Sequence, residues 1–159
     1  MNRVTRFSIL SIILLSFFAV SCDDNPVKDD NDNDHYEPTG LVLVQNGAEI
    51  AIYTDGESSG GIEVGVEKET SLISVRFIAE DGDRFVPEGD EFSLELERGD
   101  DIFEIEQHEG EDYEFHVIGE VEGNSSLTVK LMHNGHKDFV AAPFEVHVET
   151  DGPGEDHAH

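Results

Sequence analysis

Between residues 39 and 150 apolar side chains recur at every second position, and turn residues break them up at short intervals; together these two signals constrain the fold most. Phe92, Leu94 and Leu96 alternate with Glu91, Glu95 and Glu97, and Leu127, Val129 and Leu131 alternate with Ser126, Thr128 and Lys130. A period of two sends successive side chains to opposite faces of a strand, so each segment has one buried and one wet face. Segments 41–45 and 49–53 flank Asn46-Gly47, two residues that tolerate the positive φ of a two-residue hairpin turn. Residues 56–61 read as a flexible connection, and seven further strands are predicted at 62–66, 71–78, 91–97, 102–106, 113–121, 126–132 and 139–148. No helical period persists between turn signals, and short strands at this spacing predict an all-β domain over 39–150: a β-sandwich with an extra N-terminal hairpin.

The flanking segments have other jobs. Residues 1–21 carry Arg3 and Arg6, an apolar run from Phe7 to Val20 broken only by serines, and the small residue Ser21, which is the pattern of a secretion signal. The run falls short of the ~20 residues that a membrane-spanning helix needs. Residues 22–38 contain almost nothing apolar and are expected to form a disordered acidic tether. Asp30, Asp32 and Asp34 have the spacing of a calcium loop, but His35 stands where the turn glycine belongs and no glutamate occupies the twelfth position. The tail, residues 151–159, is too polar and glycine-rich to pack; its His157 and His159 are expected to meet a metal only loosely.

Charge narrows the partners. The chain has 9 Lys+Arg against 37 Asp+Glu, a formal net charge of −28, and loss of Arg3 and Arg6 with the leader leaves 7 against 37, or −30. Such a polyanion repels nucleic acid and anionic membrane surfaces and attracts cations. Cys22 is the only cysteine, so the domain has no disulfide and no thiolate metal site. Any metal site must be built from histidine and carboxylate.

Two stretches resemble known families. Ala19-Val20-Ser21-Cys22 resembles the lipobox of bacterial lipoproteins, with alanine where leucine is commoner. That resemblance implies that Cys22 is lipidated and anchors the protein in the outer membrane. The acidic segment that follows, Asp23-Asp24-Asn25-Pro26-Val27-Lys28-Asp29-Asp30-Asn31-Asp32-Asn33-Asp34, resembles the one that in some Gram-negative groups marks lipoproteins for the cell exterior. Residues 62–149 resemble a bacterial immunoglobulin-like domain of the group-2 type. The likeness rests on Ser74-Val75-Arg76-Phe77-Ile78 leading into Glu80-Asp81-Gly82-Asp83, and on Val117-Ile118-Gly119-Glu120-Val121-Glu122-Gly123-Asn124 feeding Ser126-Leu127-Thr128-Val129. The core tryptophan usual in that family is absent, which marks a divergent member. The resemblance implies an immunoglobulin-like fold and no particular chemistry.

Candidate ligands gather at one predicted end of the sandwich. If Asn134-Gly135 makes a two-residue turn, His133 and His136 face each other across the hairpin and Asp138 lies on the same side. The connection at 107–112 adds His108, and Asp81 and Asp83 come from 79–90. Two or three imidazoles with a carboxylate suit zinc, copper or nickel better than calcium, which takes oxygen ligands. The metal set is therefore His133, His136, His108 and Asp138. His116 and His147 are expected to project outward from their strands, where they are ordinary wet-face residues or, if adjacent, a second site. Gly56-Glu57-Ser58-Ser59-Gly60 matches a nucleophile elbow without the helix that should follow, and Arg98-Gly99-Asp100 reads as a turn. No nucleophile and base stand at credible positions, so an enzyme is not expected. Two functions remain: a surface-tethered lipoprotein that binds a transition metal and passes it to an outer-membrane protein, or a structural or adhesive surface module with no metal role.

Overall fold

The computed structural model describes residues 37–157. The leader, Cys22 and the tether up to Tyr36 lie outside the described residues, as do Ala158 and His159. The described residues form thirteen strands and no helix. These are β1 (Gly40–Gln45), β2 (Ala48–Thr54), β3 (Glu57–Gly65), β4 (Lys68–Glu69), β5 (Ile73–Ile78), β6 (Arg84–Phe85) and β7 (Phe92–Arg98). They continue with β8 (Phe103–Glu106), β9 (Glu114–Gly119), β10 (Gly123–His133), β11 (His136–Val140), β12 (Phe144–Glu149) and β13 (Glu155–Asp156).

The strands join into one open sheet in the order β11-β10-β12-β3-β2-β1-β5-β9-β4-β13, with β6 on β5, β7 on β10 and β8 on β9. Among the described strands only β12 and β3 pair in parallel. A single apolar cluster draws on both ends of this path, with Leu127, Val129, Leu131, Phe144 and Val146 beside Leu41, Leu43, Val75, Phe77, Phe115 and Val117. Phe139 on β11 sits edge-on to Tyr53 on β2 and to Phe77 on β5, with ring centroids 5.6 and 5.9 Å apart. The sheet therefore turns back over its own apolar face, which is how an open all-β sheet removes that face from water.

The hairpin turns follow their residues. Asn46-Gly47 and Asn134-Gly135 both have positive φ at the two central positions, 52° and 77° in one and 49° and 78° in the other. A third such turn, Asp55-Gly56, corrects the flexible connection expected at 56–61. From that turn β3 starts directly at Glu57, and its glycines serve close strand approach: an added Cβ on Gly61 would lie 2.7 Å from the Glu145 carbonyl oxygen.

Two other expectations change. The single strand expected over 139–148 is two strands, because Pro143 has no N–H to give a ladder and the chain crosses there from one partner segment of β10 to another. β12 pairs with the first half of β10, Gly123 to Leu127, and β11 with Lys130 to His133, while β7 lines its opposite edge. The tail expected to be disordered over 151–159 instead docks as far as it is described. Gly65 N–H donates to the Pro153 carbonyl at 2.7 Å, Lys68 Nζ to the Gly152 carbonyl at 2.9 Å, and β13 pairs with β4. Polarity did not prevent this, because a strand edge is satisfied by backbone groups and asks nothing of the side chains.

Candidate metal centre

Four strands lie side by side at one end of the sheet path: β8, β9, β4 and β13. Their pairing puts histidines and glutamates from distant parts of the chain on one solvent face. Glu106 stands directly opposite His116 across β8 and β9, and His108 follows Glu106 by two residues. On the other side of β9, Glu69 opposes Ile118, so His116, two residues along, is its diagonal neighbour on the same face. The last strand brings Glu155 opposite Glu69, and His157, two residues on, donates its backbone N–H to the Glu67 carbonyl at 3.2 Å.

These positions converge. The donor atoms of Glu69, His108 and His116 all lie within 4.8 Å of one another, and so do those of Glu69, Glu106 and His157. Glu69 is at the centre, with Oε1 3.0 Å from His116 Nδ1 and Oε2 3.1 Å from His157 Nδ1. His108 Nδ1 is 3.7 Å from Glu106 Oε1, and its ring meets that of His116 edge-on at 5.4 Å. The side chains of His116, His157 and Glu69 are only 16%, 20% and 24% exposed, against 50% for His108. The group is thus held by its sheltered members and open on the His108 side.

Thr70 fixes the state of His116. His116 Nδ1 lies 2.8 Å from the Thr70 carbonyl and 3.0 Å from Glu69 Oε1, both of which only accept, so Nδ1 carries the hydrogen and Nε2 keeps the lone pair. That is the arrangement of a metal-binding imidazole, whose far nitrogen is oriented by a carbonyl or carboxylate. In a regular ladder the Thr70 carbonyl would accept the Val117 N–H. Here the Thr70 hydroxyl accepts it at 3.0 Å while Thr70 N–H donates to the Val117 carbonyl at 2.9 Å, and the carbonyl is left to His116.

The hairpin ligands expected from the sequence are arranged differently. His133 does pair with His136 across the Asn134-Gly135 turn. A bulge next to Met132 pairs Leu131 with Phe139, so Asp138 is not the cross-strand partner that regular pairing would make it. Its carboxylate instead reaches His133 Nδ1 at 3.3 Å, while His133 Nε2 is 3.1 Å from the Asn134 amide nitrogen. The His133 ring stacks on Phe92 at 4.5 Å. Both His133 nitrogens and its ring face are thus engaged within the hairpin, and His136 is exposed. His108 belongs to the other cluster, with Glu69 and His116. Among the described residues, no group of three close donors includes His133, His136 or Asp138.

The remaining sequence candidates are also placed. His147 pairs with Asn124, its Nδ1 2.6 Å from Asn124 Oδ1, and its Nε2 is 3.3 Å from Glu145 Oε2, so it forms no shared site with His116. Asp81 caps its own turn by accepting the Asp83 N–H at 3.0 Å. The Arg98 guanidinium is tied to the Phe103 carbonyl and to Asp101, which leaves Arg98-Gly99-Asp100 a braced turn. Sequence reasoning missed Glu69 and Glu106 altogether, and assigned His157 to a loose tail. An outward Glu106 and an outward His116 on consecutive strands were a usable signal; Glu69 and His157, which are 88 residues apart, offered none.

No protein-family model, curated protein or solved structure matches this chain.

Proposed function

We propose that this chain is a lipid-anchored surface protein whose all-β domain captures a transition-metal dication at Glu69, His108 and His116. The observation that carries this reading is the convergence of two imidazoles and a carboxylate from three strand segments, one imidazole with its Nδ1–H already committed to the Thr70 carbonyl. Zinc, copper and nickel accept this donor set. Ligands about 2.1 Å from a tetrahedral zinc stand roughly 3.4 Å apart, so donors spread over as much as 4.8 Å must draw in. His108, half exposed, is the side chain with room to move. The surplus of acid across the chain raises the local cation concentration and supports the same role.

The broader setting rests on the sequence. The lipobox-like Ala19-Val20-Ser21-Cys22 and the acid after it support an anchor in the outer membrane facing outward. The turned-back sheet supports an immunoglobulin-like sandwich, and binding rather than catalysis is the proposed task. Delivery of the ion to an outer-membrane protein would follow from that location.

Titration of the full chain in mild detergent with zinc tests the reading. Partners that merely orient a ligand are worth about 10–100-fold in affinity, so His116→Ala and His108→Ala should each cost more than about 100-fold. Replacing His133 and His136 together by alanine should leave the affinity unchanged. Wild-type affinity in both His108→Ala and His116→Ala would overturn the assignment, and loss of binding only in the hairpin variant would move the ion to His133 and His136. A second reading is favoured by the contacts themselves, since Glu69, His116 and His157 already partner one another: the cluster ties the strands of a structural or adhesive module together without metal. A silent titration would select it.

A further inference from the structure

We infer that Glu69, Glu106 and His157 form a second dication position that fastens β13 to the sheet, with Glu69 offering one carboxylate oxygen to each of the two positions. This rests on the metal-binding reading above and extends it from one ion to two. The two oxygens of Glu69 face different histidines, Oε1 3.0 Å from His116 Nδ1 and Oε2 3.1 Å from His157 Nδ1, so an ion on the His157 side meets Oε2 and leaves Oε1 to the His116 side. An ion in this position is taken by His157 Nδ1, the nitrogen that faces Oε2 at 3.1 Å, with the ring hydrogen on Nε2; without the ion, Nδ1–H donates to the carboxylate. The three donors of the second group lie within the same 4.8 Å limit as those of the first.

A separate observation also points to a cation here. β13 is two residues long, and its pairing places Glu155 directly opposite Glu69. Like charges directly opposed across an antiparallel pair destabilise it. Glu67, one residue before β4, and Asp151 add to the excess of acid at this edge. The neighbouring pair, Asp156 opposite Lys68, balances one charge, but the Lys68 ammonium is directed at the Gly152 carbonyl. A dication between Glu69, Glu106 and His157 offsets that repulsion by neutralising Glu69 and links the final strand to β8 as well as to β4. Binding and docking of the tail are then one event.

The test is a zinc titration of the full chain in mild detergent, with zinc buffered in the low micromolar range, and hydrogen exchange at the residue-157 amide followed in parallel. Two equivalents are expected for the wild type and one for His157→Ala. If release of the tail releases the second ion, opening of that amide should slow about 100-fold at zinc 100-fold above Kd, in the wild type and not in the variant. Glu106→Gln, which leaves the tail sequence intact, should likewise bind one equivalent. Two equivalents in His157→Ala, or one equivalent in the wild type with tail exchange unchanged, would overturn this inference while leaving the first site in place. No binding by the wild type would remove both.

Discussion

Thr70→Val tests the join between the core and the site. Thr70 is 3% exposed and is the one buried polar side chain among the described residues. Its hydroxyl accepts the Val117 N–H at 3.0 Å, and its carbonyl accepts the His116 Nδ1–H at 2.8 Å. Valine keeps the branched shape and removes the acceptor. A buried N–H left without a partner costs about 1–3 kcal/mol. For a domain of this size that is roughly 4–12 °C in Tm, at about 4 °C per kcal/mol. The backbone has one way to avoid this cost: the Val117 N–H can turn to the Thr70 carbonyl and make the ordinary ladder bond. That diverts the carbonyl from His116, and an imidazole without its orienting partner should bind zinc about 10–100-fold more weakly. Thermal unfolding, hydrogen exchange at the Val117 amide and zinc titration separate the two outcomes. Thr70→Ser is the control, since it keeps the acceptor, loses about 0.8 kcal/mol with its methyl group and should leave the Val117 amide protected. A Thr70→Val protein within about 0.5 kcal/mol of wild type, the range of an ordinary surface change, with Val117 equally protected and zinc affinity unchanged, would refute this role of Thr70.

Other expectations follow from single contacts. Gly119→Ala would push a Cβ into the Gly65 carbonyl oxygen and to 2.9 Å from Val148 Cγ1, and overpacking of this kind should cost about 1–3 kcal/mol in a urea unfolding experiment; an unchanged midpoint would show that the strands have slack. Lys130 lies 2.6 Å from both Glu95 and Glu97. Its hydrogen bond and then its charge hold the Glu97 carboxyl below the ordinary 4.5, while hydrogen bonds to Glu95 and Glu97 raise Lys130 above 10.5. A depressed carboxyl stabilises the fold above its unfolded value and loses that contribution as pH falls through its folded value. A raised ammonium contributes below its unfolded value and loses it as pH rises through its folded value, so Glu97 and Lys130 both contribute fully from about pH 5 to pH 10. In Lys130→Met an NMR titration should find Glu97 moved back up toward 4.5, and no movement would break the assignment. Cys22→Ser should shift the protein from the membrane fraction to the soluble fraction of cells, and continued sedimentation with membranes would count against lipidation.

How much the sequence reveals depends on the distance between interacting residues. The Asn46-Gly47 and Asn134-Gly135 hairpins were readable because the turn chemistry is local, and the His133–His136 pairing followed from it. The position of Asp138 did not follow, because a single bulge beside Met132 shifts the pairing, and no local signal marks it. The glycines of β3 misled for a physical reason: a residue without a side chain suits a loose connection and a close strand approach equally well. Pro143 was the readable sign that 139–148 could not be one continuous strand.

Alternation, charge and the lone Cys22 are properties of the chain alone, and from them come the all-β class, the two-faced strands, the strongly anionic character and the restriction of any metal chemistry to histidine and carboxylate. Tertiary structure decided which histidines meet. Glu69, Glu106, His108, His116 and His157 share one face only because β4, β8, β9 and β13 lie side by side, and their register comes from backbone pairing between segments far apart in the chain. The order of strands in a sheet is settled by which arrangement buries the common core. The side chains on its wet face are carried to their neighbours by that choice and have little part in making it.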